Sequence, residues 1–259
     1  MTTRSFFDQL NNQVSITYPP QRIVSLVPSQ TELLFDLGLD KQVLGITKFC
    51  VHPPNWLQSK TIIGGTKNFR FDVIDELNPD LIIGNKEENY IEGIKQLKKK
   101  FAVWLSDIVT LTDAYSMISS LGEITGTEAS ALHIRDQIEK RFHSVRKQSP
   151  KSVLYLIWKK PWMAAAPGTF IHSMLTMLNL KNAIENLSRY PQLSEEQIAG
   201  LRPDLIFLSS EPYPFQKQHV EELAKICPSS RVMLVDGEMF SWYGSRLLKA
   251  PEYFNRLSL

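Results

Sequence analysis

The side chains best placed to do chemistry are aromatic ones that fall just after runs expected to be strands. Phe49, Phe69, Trp158, Trp162, Tyr190, Phe240, Trp242 and Tyr243 form this set, and three of the five tryptophans stand in two such segments of the second half. A single aromatic residue ordinarily belongs to a core. Loops cannot bury many large rings among themselves, so the set as a whole predicts flat walls for a large, partly apolar ligand. Lys48, Lys67, Arg70, Lys159 and Lys160 lie near the same segments and would suit an anionic ligand.

Catalytic and metal chemistry find little support. No GxSxG, GxxxxGK or HExxH is present, and His52, His133, His143, His172 and His219 are dispersed. His133 and His143 fall on an expected surface helix, and His172 follows a helix start. His52 alone lies in an expected ligand-facing loop, which makes it the one weak candidate for a metal ligand. The turn Gly64–Thr66 is too short to cradle a nucleotide. Cys50 and Cys227 have no CxxC or Cys/His spacing, so neither zinc nor a disulfide framework is predicted. Asp80 and Asp204 stand just before expected strands and read as local caps rather than as an acid/base pair. The reading is a binding protein and not an enzyme, with no intrinsic cofactor.

The elements that must position these residues are set out by an internal repeat. Ile74, Leu77, Pro79, Asp80, Leu81 and Ile82 are answered by Ile198, Leu201, Pro203, Asp204, Leu205 and Ile206. Each copy predicts a short amphipathic helix, stopped by the residue before proline, that feeds a buried parallel-type strand. The same register sets Asp72 opposite Glu196, each two residues before the isoleucine. An acid in the first turn is favoured by the helix dipole. Two acids at equivalent points are also what a two-lobed protein would use to be gripped symmetrically.

Other elements follow in order. Strands are expected at 14–18, 22–27, 42–47, 61–63, 102–105, 152–157, 205–208 and 232–235. The helix after the second of these is expected to open on a Ser29/Glu32 capping box and to stop at Gly38. Between 112 and 148 the apolar spacing turns helical: Tyr115, Ile118, Leu121 and Ile124, then Leu132, Ile138, Phe142 and Val145 after Gly126. The second part, roughly 20 residues without a breaker, would span about 30 Å. WKKPWMAAAPG reads as a long loop, and a closing helix is expected over about 245–257. The fold class is α/β: two Rossmann-like lobes joined by a single long rigid helix, with the ligand cleft between them. The boundaries expected are 1–111, 112–149 and 150–259.

Composition agrees with a folded protein of this kind: 43% hydrophobic and 22% charged residues in 259, enough for two cores. A net charge of +2 argues against nucleic acid as a partner. Lys98–Lys100 reads as a solvated helix C-terminus. No run reaches the ~18 apolar residues of a membrane span, and the first twenty residues lack the apolar stretch of a secretory leader. Taken at face value, that predicts a cytoplasmic chain.

From Arg22 to the C-terminus the sequence resembles the two-lobed, helix-bridged solute-binding proteins of ABC importers for cobalamin and ferric siderophores. The segments that carry the resemblance are RIVSLVPSQTELLFDLG, LNPDLI and LRPDLI, IWKKPWMAAAPGTFI, and FSWYGSRLLKAPEYF. The cobalamin-binding branch is the most similar. The resemblance implies a periplasmic monomer whose transported ligand is a cobalt corrinoid, the cobalt arriving with the ligand. It implies that Asp72 and Glu196 dock to arginines of an ABC permease, although glutamate is usual where Asp72 stands. Phe49, Trp162 and Tyr190 match pocket aromatics, while Thr66 stands where the family carries tryptophan. With Trp158, Trp242 and Tyr243 these make the expected ligand-contact set. The alternatives are a ferric siderophore or haem as ligand, a chelatase-like enzyme, and a leaderless cytoplasmic carrier of a metal chelate.

Overall fold

The computed structural model describes residues 2–259; Met1, the first residue of the expected 1–111 lobe, lies outside them. The chain folds as two compact units. One holds the residues through Ile108, Thr112–Lys140 and Tyr243–Leu248; the other holds Val109–Leu111, Arg141–Trp242 and Lys249–Leu259.

The first unit is built on a five-stranded parallel sheet, in the order Thr61–Ile62, Val43–Ile46, Ile23–Ser25, Leu81–Asn85, Val103–Ser106. Ile23, Val24, Leu81, Ile82 and Ile83 have no exposed surface, as expected of parallel strands covered on both faces. The chain lays successive strands to one side of Ile23–Ser25 and then returns to its other side at Leu81–Asn85. Open parallel sheets bind ligands at the carboxyl ends beside such a reversal. A hairpin of Thr2–Phe7 with Gln13–Tyr18 precedes the sheet; its first strand carries no clear sequence signal.

The helix Pro28–Asp36 corrects one expectation. Pro28 occupies the first turn, where its missing N–H costs nothing, so the helix begins two residues early and Val27 is the N-cap. Ser29 is therefore inside the helix and the Ser29/Glu32 capping box does not form. Gly38, at φ +82°, ends the helix in the left-handed conformation that suits glycine.

The helical stretch expected to follow is two helices of fifteen residues, Leu111–Thr125 and Glu128–Phe142, parted at Gly126 with φ +73°. The second stops at Phe142 instead of running on to Gln148. Ile138 is its last buried side chain, and Leu132 is 42% exposed, so no apolar face extends the helix further.

The second unit carries a six-stranded mixed sheet. Lys151–Trp158, Leu205–Ser209 and Arg231–Val235 run parallel, with Leu180–Asn182 also parallel to the first of them. Trp162–Ala164 turns back antiparallel against Lys151–Trp158 and pairs in turn with Gln192–Leu193. The segment expected to be one long loop thus contains a strand, whose Trp162 and Ala164 point into the core. The closing helix is also interrupted: a 3-10 turn at Ser245–Leu248 precedes Ala250–Arg256, with Pro251 in the first turn of the latter.

The repeat is reproduced to the level of single dihedral angles. Phe71–Leu77 and Glu195–Leu201 are both seven-residue helices, each ended by a left-handed residue before proline: Asn78 at φ +41° and Arg202 at φ +45°. Asp80 then accepts the backbone N–H groups of Gln21 (2.7 Å) and Arg22 (2.9 Å). Asp204 accepts the Ser152 N–H and hydroxyl, both at 2.7 Å. The two aspartates fasten the start of the neighbouring strand in each sheet, so they cap a chain segment more than fifty residues away and not, as expected, a local one.

Candidate functional site

At the carboxyl ends of the first unit's strands lies a buried polar network. Gln30 Nε2 donates to Ser106 Oγ at 2.6 Å, and Asn85 Nδ2 donates to the same oxygen at 3.0 Å. Asn89 Oδ1 accepts the Asn85 N–H at 2.8 Å, while its amide nitrogen reaches Leu26 O (3.3 Å) and Thr66 O (3.2 Å). Thr31 Oγ1 lies 2.8 Å from Ser25 Oγ, and Thr31 and Thr47 both reach the Cys50 thiol. Segments at the ends of four strands are therefore bonded to one another, which fixes the platform on which exposed residues stand.

Phe49 stands on that platform, 50% exposed, with Lys48 Nζ 5.1 Å from its ring centroid. Thr66 is half-buried at the tip of the small hairpin Gly64–Gly65/Asn68–Phe69. His52 is half-buried in the loop after Val43–Ile46, and among the described residues no group of three His, Cys, Asp or Glu side chains is arranged to hold a metal. Phe69 belongs to the core, packed on Tyr90 at 4.9 Å. Tyr243 is only 5% exposed, its hydroxyl held by Glu88.

In the second unit the aromatics divide sharply. Trp162 is 6% exposed, stacked on Phe215 at 6.1 Å with the planes 2° apart, inside a cluster with Leu154, Leu193 and Leu208. Phe240 is fully buried against Tyr155 and Phe254. Trp242 is buried and hydrogen-bonded to the Glu211 carboxyl. Trp162, Trp242 and Tyr243 are therefore buried and not exposed: Trp162 packs in an apolar cluster, while the polar ends of Trp242 and Tyr243 are taken up by Glu211 and Glu88. Trp158 differs. It ends its strand 39% exposed, meeting Tyr213 edge-on at 5.6 Å. Tyr190 is half-buried in a loop pinned by Ala164 N–H to Pro191 O (3.1 Å) and Ala166 N–H to Arg189 O (2.9 Å).

The cations are largely engaged. Lys159 pairs with Glu222, Lys67 Nζ donates to Glu87 O at 2.6 Å, and Arg70 lies 3.7 Å from Asp72. Lys160 is exposed at φ +62°. A surface groove of about 450 Å³ runs along helix Ile91–Leu97, lined by Glu92, Lys95, Gln96, Lys99 and Lys100. None of these comes from the strand-end loops.

Asp72 and Glu196 are both exposed in the first turns of their equivalent helices. The Ser194 hydroxyl, and then the backbone N–H of Glu196 itself, hold the Glu196 carboxyl below the usual range. Sequence reasoning missed the segment after Leu205–Ser209, where Glu211, Tyr213 and Phe215 cluster. Its signal was the run Glu-Pro-Tyr-Pro-Phe between a strand and a helix. Burial pushes the Glu211 carboxyl up, against the hydrogen bonds it accepts from Ser241 and Trp242.

In both units the parallel strands end in loops at their carboxyl edges, the place where open sheets of this kind hold ligands. The chain belongs to the periplasmic binding protein family, whose pattern it matches over residues 23–226. It is a solute-binding protein of the ABC-importer type. It is 26% identical to an uncharacterized ABC transporter substrate-binding lipoprotein of Bacillus subtilis, covering 95% of this chain and 82% of that one. The periplasmic vitamin B12 binding protein of Vibrio cholerae superposes with a TM-score of 0.77 at 21% identity, over 92% of this chain and 96% of that one. The periplasmic heme-binding protein of Roseiflexus sp. RS-1 gives 0.76 at 22%, over 91% and 98%. Among the described residues no helix is long and apolar enough to cross a membrane.

Proposed function

We propose that this protein binds cobalamin or a related corrinoid on its strand-end loops and presents it to an ABC permease through Asp72 and Glu196. The observation that carries the ligand half is the exposure of Phe49 and Trp158 at strand carboxyl ends, while other large rings nearby are buried. In each unit an exposed flat ring at a strand end suits one face of a large macrocycle, and the engagement of Lys67, Arg70 and Lys159 with acids or backbone carbonyls suits a ligand that is not strongly anionic. The docking half is supported by two exposed acids at equivalent places in a structural repeat. Presentation to a permease requires the outer side of the membrane, where relatives named as periplasmic or lipoprotein work.

Haem or a ferric siderophore is the second reading, favoured by the heme-binding and Fe3+-hydroxamate transport structures of the same fold. Calorimetric titration with cyanocobalamin, haem and a ferric hydroxamate decides between them. Saturable one-to-one binding of cyanocobalamin is the expected result. Binding of haem or the hydroxamate alone overturns the corrinoid assignment.

A further inference from the structure

The loop after Leu205–Ser209 and the end of Lys151–Trp158 bring together two rings that keep solvent-facing area. Trp158 is exposed, Tyr213 is half-buried, and they meet edge-to-face at 70°. Behind Tyr213 lies His219, itself 6% exposed. The backbone N–H of Gln216 donates to His219 Nδ1 at 2.9 Å, so in the neutral ring the proton sits on Nε2. Nε2 is 3.4 Å from the Tyr213 hydroxyl oxygen. That oxygen is therefore the acceptor on the protein side, and the phenol proton is left to point away from His219.

Burial, and then Lys159, holds the imidazole below its ordinary value, against the opposing pull of Glu222, and those two charges are paired with each other. Phe215 packs on Tyr213 at 4.7 Å and stacks on the buried Trp162, which fixes the phenol from the core side.

We infer that Tyr213 is a ligand-contact and specificity residue whose hydroxyl donates a hydrogen bond to an oxygen acceptor on the rim of the bound solute, with Trp158 covering the adjoining apolar face. The acceptor is an amide carbonyl or a carboxylate, and His219 is the positioning residue that sets the direction of the bond. The inference rests on the solute-binding reading above and deepens it.

The test is calorimetry on wild type, Tyr213→Phe, Trp158→Ala and His219→Gln, with cyanocobalamin for amide acceptors and haem for carboxylates. Tyr213→Phe keeps the ring and its packing, so its urea midpoint should match wild type. Its affinity should fall about tenfold for an amide acceptor, and further for a carboxylate. His219→Gln should give a smaller loss, one that disappears in the Tyr213→Phe background. Unchanged affinity in Tyr213→Phe, for a ligand that wild type binds, overturns the inference and leaves the solute-binding reading standing. A wild type that binds neither ligand overturns the corrinoid and haem readings and, with them, this inference.

Discussion

Arg246 grips Glu32 with two nitrogens, Nη2 to Oε1 at 2.7 Å and Nε to Oε2 at 2.9 Å, across 214 residues of sequence. Both side chains are buried within the first unit, 6% and 7% exposed. The pair fastens Tyr243–Leu248 onto helix Pro28–Asp36, assisted by Ser245 on Asp36 and Tyr243 on Glu88. Gly244 lies against Ser29 O so closely that a Cβ there would meet it at 2.4 Å.

Breaking this pair from one side leaves a buried charge without its partner. Arg246→Met should destabilise the fold by about 3–5 kcal/mol. The double variant Glu32→Leu/Arg246→Met should recover most of that loss. Urea unfolding followed by circular dichroism measures both, and equal midpoints for wild type and Arg246→Met would show that the pair contributes nothing.

Asp72 and Glu196 are exposed, and the 3.7 Å contact of Asp72 with Arg70 is the kind of surface pair that contributes little. Reversing both charges, in Asp72→Lys/Glu196→Lys, should leave ligand affinity and unfolding midpoint within error of wild type. Stimulation of a reconstituted importer's ATPase activity should fall at least tenfold. A loss of ligand affinity in the double variant would count against a purely docking role.

Trp158 and Trp162, separated by burial, should respond in opposite ways. Trp162→Ala opens a cavity beneath Phe215 and should cost about 3–5 kcal/mol of stability. Trp158→Ala should change stability little and weaken ligand binding about tenfold. Parallel unfolding and titration series distinguish the two.

Asp204 supplies a pH signature. Hydrogen bonds from the Ser152 N–H and then its hydroxyl hold its carboxyl below the ordinary value, so the ionised form is favoured in the folded state. The resulting stability is present above the unfolded carboxyl pKa of about 4 and is lost as the pH falls through the lower folded value. Asp204→Ala should therefore have a lower urea midpoint than wild type at pH 7, with the gap closing in acid. A gap unchanged at low pH would rule out ionisation as its source.

Cys50 has no exposed surface, and burial pushes its thiol up to about 11; burial also raises Cys227. Neither thiol should react with an alkylating reagent at pH 8 in the native protein, and both should react in denaturant. Mass spectrometry reads the count directly.

What local chemistry dictates was legible in the residues alone. The spacing Ile-x-x-Leu-x-Pro-Asp-Leu-Ile specifies a helix, a left-handed stop before proline and a buried strand, and the structure carries it out twice. These features depend on neighbours a few residues apart and on the geometry proline imposes. Tertiary structure decided what depends on distant partners. Glu32, four residues after the first strand-end turn begins, reads as a cap until Arg246 arrives to bind it. Trp158 and Trp162, four residues apart with the same side chain, end on opposite sides of burial because a strand reverses between them. The direction of the Tyr213 hydroxyl is set by a histidine whose own proton is placed by a backbone amide. Spacing reports which rings and charges a segment carries, but burial and hydrogen-bond direction come from whatever packs against it.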